Sequence, residues 1–244
     1  MLNAEAHMRS ASLIKLPILV HGLSEVVNGK LSLETRYSVQ KEEQVGGAGI
    51  LHTLSDGLML TLQDLLTLMI VISDNTATNK LITLLGEANL NAFMQSLGLS
   101  QTSLVGRLQL PEALQSEAQK RGETNRTCAT DILGLLIRLE KGDLLPPAQT
   151  KLALDILKKQ QFTEALSRYL PRDKELYPGA ITVASKSGCL RGLWHDAGII
   201  YKGGQASYAL VIMTDEAADR SYSYEQEGMM LIAKLSKAIF EELT

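Results

Sequence analysis

Ser12-Leu13-Ile14-Lys15 sets a hydroxyl and an amine three residues apart, the separation that brings two side chains onto one face of a helix. A serine hydroxyl is a weak nucleophile at neutral pH and needs a base within hydrogen-bond reach, so Ser12 as nucleophile and Lys15 as its activator form a coherent pair. The amine accepts a proton only if its pKa falls, which burial and a second cation nearby would both produce. The free amides of a helix start would favour the alkoxide and the charge developing on a substrate oxygen. The spacing alone is weak evidence, because S-x-x-K arises by chance about once in a chain of this length.

Two further tripeptides change that weighting. Ser73-Asp74-Asn75 and Lys186-Ser187-Gly188 are each expected in roughly one chain in ten or fewer, and both occur here in a fixed order after Ser12. Ser73 suits a proton relay between a leaving group and Lys15, and Asn75 suits an amide donor to a substrate carbonyl. Asp74 reads as structural, an N-cap for the next helix. Lys186, at the end of a strand, would anchor a substrate carboxylate and keep Lys15 neutral, with Ser187 a further substrate contact. Gly188 would admit a substrate backbone, and the amide of Cys189 would join that of Ser12 in an oxyanion hole. Arg191 offers a second carboxylate contact. His195 and Asp196 do not complete a triad, since neighbours on a strand point to opposite faces.

The elements that must hold these residues follow from periodicity. Apolar residues at three- and four-residue steps predict a helix over Ser12 to Val27, stopped by Asn28-Gly29. Thr35 to Gly57 reads as glycine-rich loop. A second helix, Thr61 to Ile72, is so apolar that it is expected to be central, and a third runs from Thr76 to Leu85. Short helical pieces and loops fill 86–126, followed by helices at Thr130 to Leu139 and Pro147 to Gln160. Runs rich in β-branched and aromatic residues at Ile181 to Ser185, Ala197 to Tyr201 and Tyr208 to Met213 predict an antiparallel hairpin and one more strand. Ser221 to Leu243 closes the chain as an amphipathic helix with Ser223 and Gln226 as its capping box. The sum is an α+β layout in one unit over 1–244, with 28–180 mainly helical and 1–27 and 181–244 supplying the nucleophile helix, the sheet and its covering helix.

The composition fits that class. Of 244 residues, 45% are hydrophobic and 21% charged, which suits a soluble globular domain rather than disorder or a membrane protein. A formal charge of -3 without a basic run argues against nucleic-acid binding. Two cysteines and four histidines lack metal-ligand spacing, so neither a metal nor a disulfide framework is expected. No stretch approaches the ~20 apolar residues of a membrane span.

With SLIK, SDN and KSG in this order, the chain resembles the penicillin-recognising serine hydrolases, and the string SDNTATNKLI brings it closest to the class A β-lactamase-like branch. The resemblance covers nearly all of Ser12 to Thr244. It implies a β-lactamase/transpeptidase-like fold, no cofactor, and acylation of Ser12 by a β-lactam or peptide-like acyl donor. A peptidase or esterase of the same superfamily, or a covalent binder that acylates once and stops, is the alternative. The class A branch places its deacylating glutamate in an E-x-x-L-N stretch that is lacking here, and Glu112 and Glu123 read as solvated loop carboxylates. The family also carries a helix and two strands before its nucleophile, whereas eleven residues precede Ser12. A late start to the chain would expose a sheet edge, to be covered by a homodimer or felt as lower stability. The compartment is left open by the sequence: cytoplasmic is the expectation for the sequence as given, and periplasmic or extracellular is the expectation if an export signal was lost with a longer N-terminus.

Overall fold

A computed structural model describes residues 1–172 and 180–243. In chain order, a short strand β1 (Met8–Arg9) and a 3-10 turn (Ala11–Ile14) lead into α1 (Lys15–Val27), and β2 (Arg36–Val39) pairs antiparallel with β3 (Leu58–Thr61). The helices α2 (Leu62–Val71), α3 (Asn75–Leu85), α4 (Glu87–Ser96) and the short α5 (Glu117–Lys120) follow. The strand β4 (Arg126–Thr127) pairs with β1, and α6 (Ala129–Lys141) and α7 (Pro147–Leu157) end the helical part. The last elements are β5 (Thr182–Leu190), β6 (Leu193–Lys202), β7 (Gln205–Thr214) and α8 (Glu227–Leu243).

The sheet order is β5-β6-β7, antiparallel throughout. Alternation along the strands builds two faces. Ala184, Ala197, Ile199 and Tyr201 join the helical core, while Val183 and Ile200 belong to a smaller cluster with Phe240 on the other side. The architecture is therefore α+β, with helices on one face of the sheet and α8 on the other.

The central helix is α1 rather than α2. Every residue from Lys15 to Leu23 is buried, so α1 is enclosed on all sides. By contrast, α2 exposes Gln63 and Asp64, and its Thr61 forms a capping box with Asp64 at the solvent-facing start. Pro17 lies in the first turn of α1, where its missing donor costs least.

Other differences are local. The β2–β3 pair lies where a loop and a helix start were expected, because strands of four residues give too short a period to detect. The strand β5 runs through Lys186, Ser187 and Gly188 to Leu190, so that tripeptide lies within the strand and not at its end. At α8 the capping role is taken by Gln226 alone, whose Oε1 accepts from the amides of Gly228 and Met229 at 2.7 and 3.1 Å. The helix therefore begins at Glu227 rather than Ser221. Among the described residues, β7 pairs with β6 only, and no helix is long and apolar enough to cross a membrane.

Candidate active site

Ser12 sits in the 3-10 turn, partly exposed, with Leu13 and Ile14 anchored in the core behind it. Ala11 before it adopts φ +43° and Ser73 adopts φ +57°, a left-handed conformation that costs an L-residue about 1 kcal/mol or more. Two strained residues flanking one small volume imply that the surrounding packing holds them there.

Lys15 opens α1 and is wholly buried. Its Nζ donates to Ser73 O at 2.6 Å, Ser73 Oγ at 3.0 Å and Asn75 Oδ1 at 2.9 Å. Ser73 Oγ in turn lies 2.9 Å from Ser12 Oγ, so the amine reaches the Ser12 hydroxyl through a second hydroxyl. Burial drives the Lys15 pKa well below 10.5, and the positive charge of Lys186 drives it further, against the opposing pull of Asp74.

The Ser73–Asn75 turn is built from the loop ahead of it. Asp74 caps α3 by accepting from the Ala77 amide, and its other oxygen accepts from the Ile50 and Leu51 amides. Asn75 gives one amide hydrogen to Gly46 O at 3.1 Å and has one left for a ligand. A Cβ on Gly47 would meet Asn75 Nδ2 at 2.7 Å, which explains part of the glycine run.

The strand β5 supplies the opposite wall. Lys186 is fully buried, and its Nζ donates to Ser187 O. Burial lowers its pKa to about 8 while Asp196 holds it up, so near neutrality its charge adds to burial in lowering the Lys15 pKa. Ser187, Gly188 and Cys189 line a cavity of about 780 Å³ together with Ser12, Ser73 and Asn75. A Cβ on Gly188 would lie 2.8 Å from the backbone nitrogen of Ser12, so the Ser12 turn rests directly on this glycine. Gly188→Ala is expected to push that turn aside and to lower the melting temperature, by the few degrees that about 1–3 kcal/mol of overpacking costs, as a thermal melt would read.

The structure does not bring Arg191 to this cavity: it occupies the exposed tip of the tight turn between β5 and β6, outside the lining. His195 faces the helical side, its Nε2 donating to Arg9 O at 2.8 Å, and Asp196 faces the α8 side, its Oδ2 accepting from Leu166 N at 3.0 Å. Burial raises the Asp196 pKa to about 7. Glu112 is exposed, and Glu123 lies at the exposed rim, paired with Arg121 at 2.7 Å. Among the described residues no cluster of His, Cys, Asp and Glu could hold a metal ion. Sequence reasoning missed a wall of the cavity formed by Phe162, Glu164, Trp194, Tyr222 and Tyr224. These residues come from three distant stretches, and the only local signal was the closely spaced Tyr222 and Tyr224.

The family model described as the beta-lactamase enzyme family matches residues 1–243. The chain belongs to that family. Among solved structures, a β-lactamase from Sphaerobacter thermophilus is similar at 29% identity and a TM-score of 0.86, with 99% of this chain and 85% of that chain covered. PBP-A is similar at 26% identity and a TM-score of 0.84, covering 99% and 83%. A PBP-A mutant in an acyl-enzyme complex with penicillin G matches at 26% identity and a TM-score of 0.80, covering 99% and 85%. Among curated protein sequences none matches significantly. Family and fold together make this a β-lactamase-like hydrolase.

Proposed function

We propose that the protein is a serine hydrolase that forms an acyl-enzyme on Ser12 with a β-lactam or a related amide. The observation that carries this reading is the hydrogen-bonded chain Ser12 Oγ to Ser73 Oγ to Lys15 Nζ, running from the cavity to a buried amine of lowered pKa. A neutral Lys15 keeps two donors for Ser73 O and Asn75 Oδ1 and turns its lone pair to Ser73. The Ser12 proton then passes to Ser73 as the Ser73 proton passes to Lys15, and the freed oxygen attacks the carbonyl carbon. The amides of Ser12 and Cys189 receive the oxyanion. When the amide C–N bond breaks, Lys15 returns its proton to Ser73 as Ser73 gives its own to the leaving nitrogen, and Ser12 Oγ stays in the ester. Ser187 contacts the substrate, and Lys186 acts on the site through its charge.

The second reading, an acyl-enzyme that hydrolyses slowly, is favoured by the lining carboxylates. Of the carboxylates among the described residues that line the cavity, Glu123 is held by Arg121, and neither it nor Glu164 joins the hydrogen-bonded network of Ser12, Ser73, Lys15 and Asn75, which supports slow hydrolysis of an adduct. The PBP-A mutant described as an acyl-enzyme complex with penicillin G is consistent with that outcome. Incubation with fluorescent penicillin followed by peptide mass spectrometry tests both readings. An adduct on the Ser12 peptide is expected; its rapid disappearance with product release marks an efficient lactamase, and its persistence marks slow hydrolysis. Folded protein without an adduct overturns the proposal.

A further inference from the structure

The cavity lining has two unlike parts. One is polar, with Arg107, Gln115, Gln119 and Asn125 in its wall. The other is lined by Phe162 and Glu164 from the strap after α7, by Trp194 from β6, by Tyr222 and Tyr224 from the loop before α8, and by Met229 in its first turn. This second arm is firmly built. Leu166 in the strap donates to Asp196 Oδ2 at 3.0 Å and accepts from Ser236 Oγ at 2.7 Å, and Arg168 donates to Tyr224 O. Trp194 packs on the buried cluster of Ala165, Leu166, Met229 and Ile232.

Glu164 is half-buried in this arm, and among the described residues its carboxylate makes no hydrogen bond or ion pair. The cations near the cavity walls are engaged or absent from its lining: Arg168 donates to Tyr224 O, and Arg220 lies outside it. Lys186 is enclosed and bonded to Ser187 O, Arg191 lies outside the lining, and Arg107 stands in the polar part, 4.0 Å from Glu87. A carboxylate partly withdrawn from water and left unpaired is stabilised by any cation that reaches it. Aromatic ring faces attract the same kind of group and repel anions. A substrate carboxylate entering here would meet the unpaired carboxylate of Glu164.

We propose that this arm is a subsite for a cationic apolar group, an ammonium-bearing alkyl or aryl portion of the acyl donor, with Glu164 as its counter-ion and Trp194, Tyr222 and Tyr224 as its walls. The assignment rests on the acyl-transfer reading and names the donors the site prefers: amides that end in a positively charged hydrophobic group on this side rather than in a carboxylate.

Trp194 is the only tryptophan in the chain, so its fluorescence reports occupancy of the arm independently of chemistry at Ser12. The wild-type protein is titrated with benzyltrimethylammonium and, separately, with phenylacetate as an aryl anion. A saturable change with the cation binding at least about ten-fold more tightly than the anion is expected, and Glu164→Gln should weaken cation binding by about five- to ten-fold. No saturable response, equal binding of both probes, or unchanged cation binding by a folded Glu164→Gln protein overturns the subsite. Penicillin labelling separates this from the reading beneath it. Cation selectivity without a Ser12 adduct upholds the subsite and removes the acyl transfer, whereas an adduct without cation selectivity removes the subsite alone.

Discussion

Lys15→Met is expected to slow penicillin labelling of Ser12 by about 1,000-fold, within the range that a positioned base supplies, while the protein remains folded. Methionine follows the lysine stem closely in shape, so this fully enclosed position gains no large void. Ser73 O and Asn75 Oδ1 lose a donor, at a cost of about 1–3 kcal/mol each. Part of that is offset because a desolvated amine no longer has to be accommodated. The pH profile identifies the cause. Lys15 acts as a base only when neutral, so the wild-type rate rises with pH through its lowered pKa and levels off well below 10.5. It falls again as Lys186 loses its charge near about 8 and its field no longer supports the oxyanion. In Lys15→Met the rising limb disappears, and Ser12→Ala, which removes the labelled hydroxyl, gives no adduct at any pH. Stability carries a matching sign. Between the lowered folded pKa of Lys15 and its unfolded value, the unfolded chain binds more protons, so this lysine makes stability rise with pH across that window and methionine removes the rise. A labelling rate in Lys15→Met within ten-fold of wild type would assign the base to another group.

Long periodic segments were legible in the sequence because burial writes them into the order of residues. The stripes of α2 and α6 and the β-branched runs of β6 and β7 are examples. The central place of α1 was not legible: a helix enclosed on all sides has no polar face to mark its orientation, and the burial that the chemistry of Lys15 requires is supplied by Ser73 and Asn75 from a distant turn. The order of the three motifs pointed to one site. It could not say that Lys15 reaches Ser12 through Ser73, because that depends on the left-handed turn at Ser73, which local propensity disfavours. Lys186 was assigned to a strand end because the apolar run stops at Ser185, yet β5 continues through residues 186 to 190, where Gly188 lets the strand lie against the Ser12 turn. The aromatic arm was invisible for a different reason. Its walls are brought together only when the 160–168 strap is clamped between Asp196 and Ser236, contacts that span 30 and 70 residues.

Asp74→Ala is expected to cost about 3–5 kcal/mol of stability, lowering the melting temperature by about 10 °C. The carboxylate is buried and works on two elements at once, with Oδ1 accepting from Ala77 N at 2.9 Å and Oδ2 from Ile50 N at 2.7 Å and Leu51 N at 2.9 Å. Alanine leaves all three amides without their acceptor and opens space beside Gly49, where a Cβ would otherwise lie 2.2 Å from Asp74 Oδ2. Asparagine keeps one oxygen and turns an amide hydrogen towards the other donors, so Asp74→Asn should retain either the α3 cap or the loop anchor and melt between wild type and alanine. The loop matters to the chemistry because Gly46 O holds Asn75, whose Oδ1 holds Lys15. Loss of the Asp74 charge also removes a field that raises the Lys15 pKa, so the rising limb of the labelling profile should move to lower pH even as the plateau rate falls. The two shifts together separate Asp74 from a catalytic base. A base would abolish the limb, whereas a structural anchor that also sets the local field displaces it, and an Asp74→Ala protein with wild-type melting temperature would end the anchoring role.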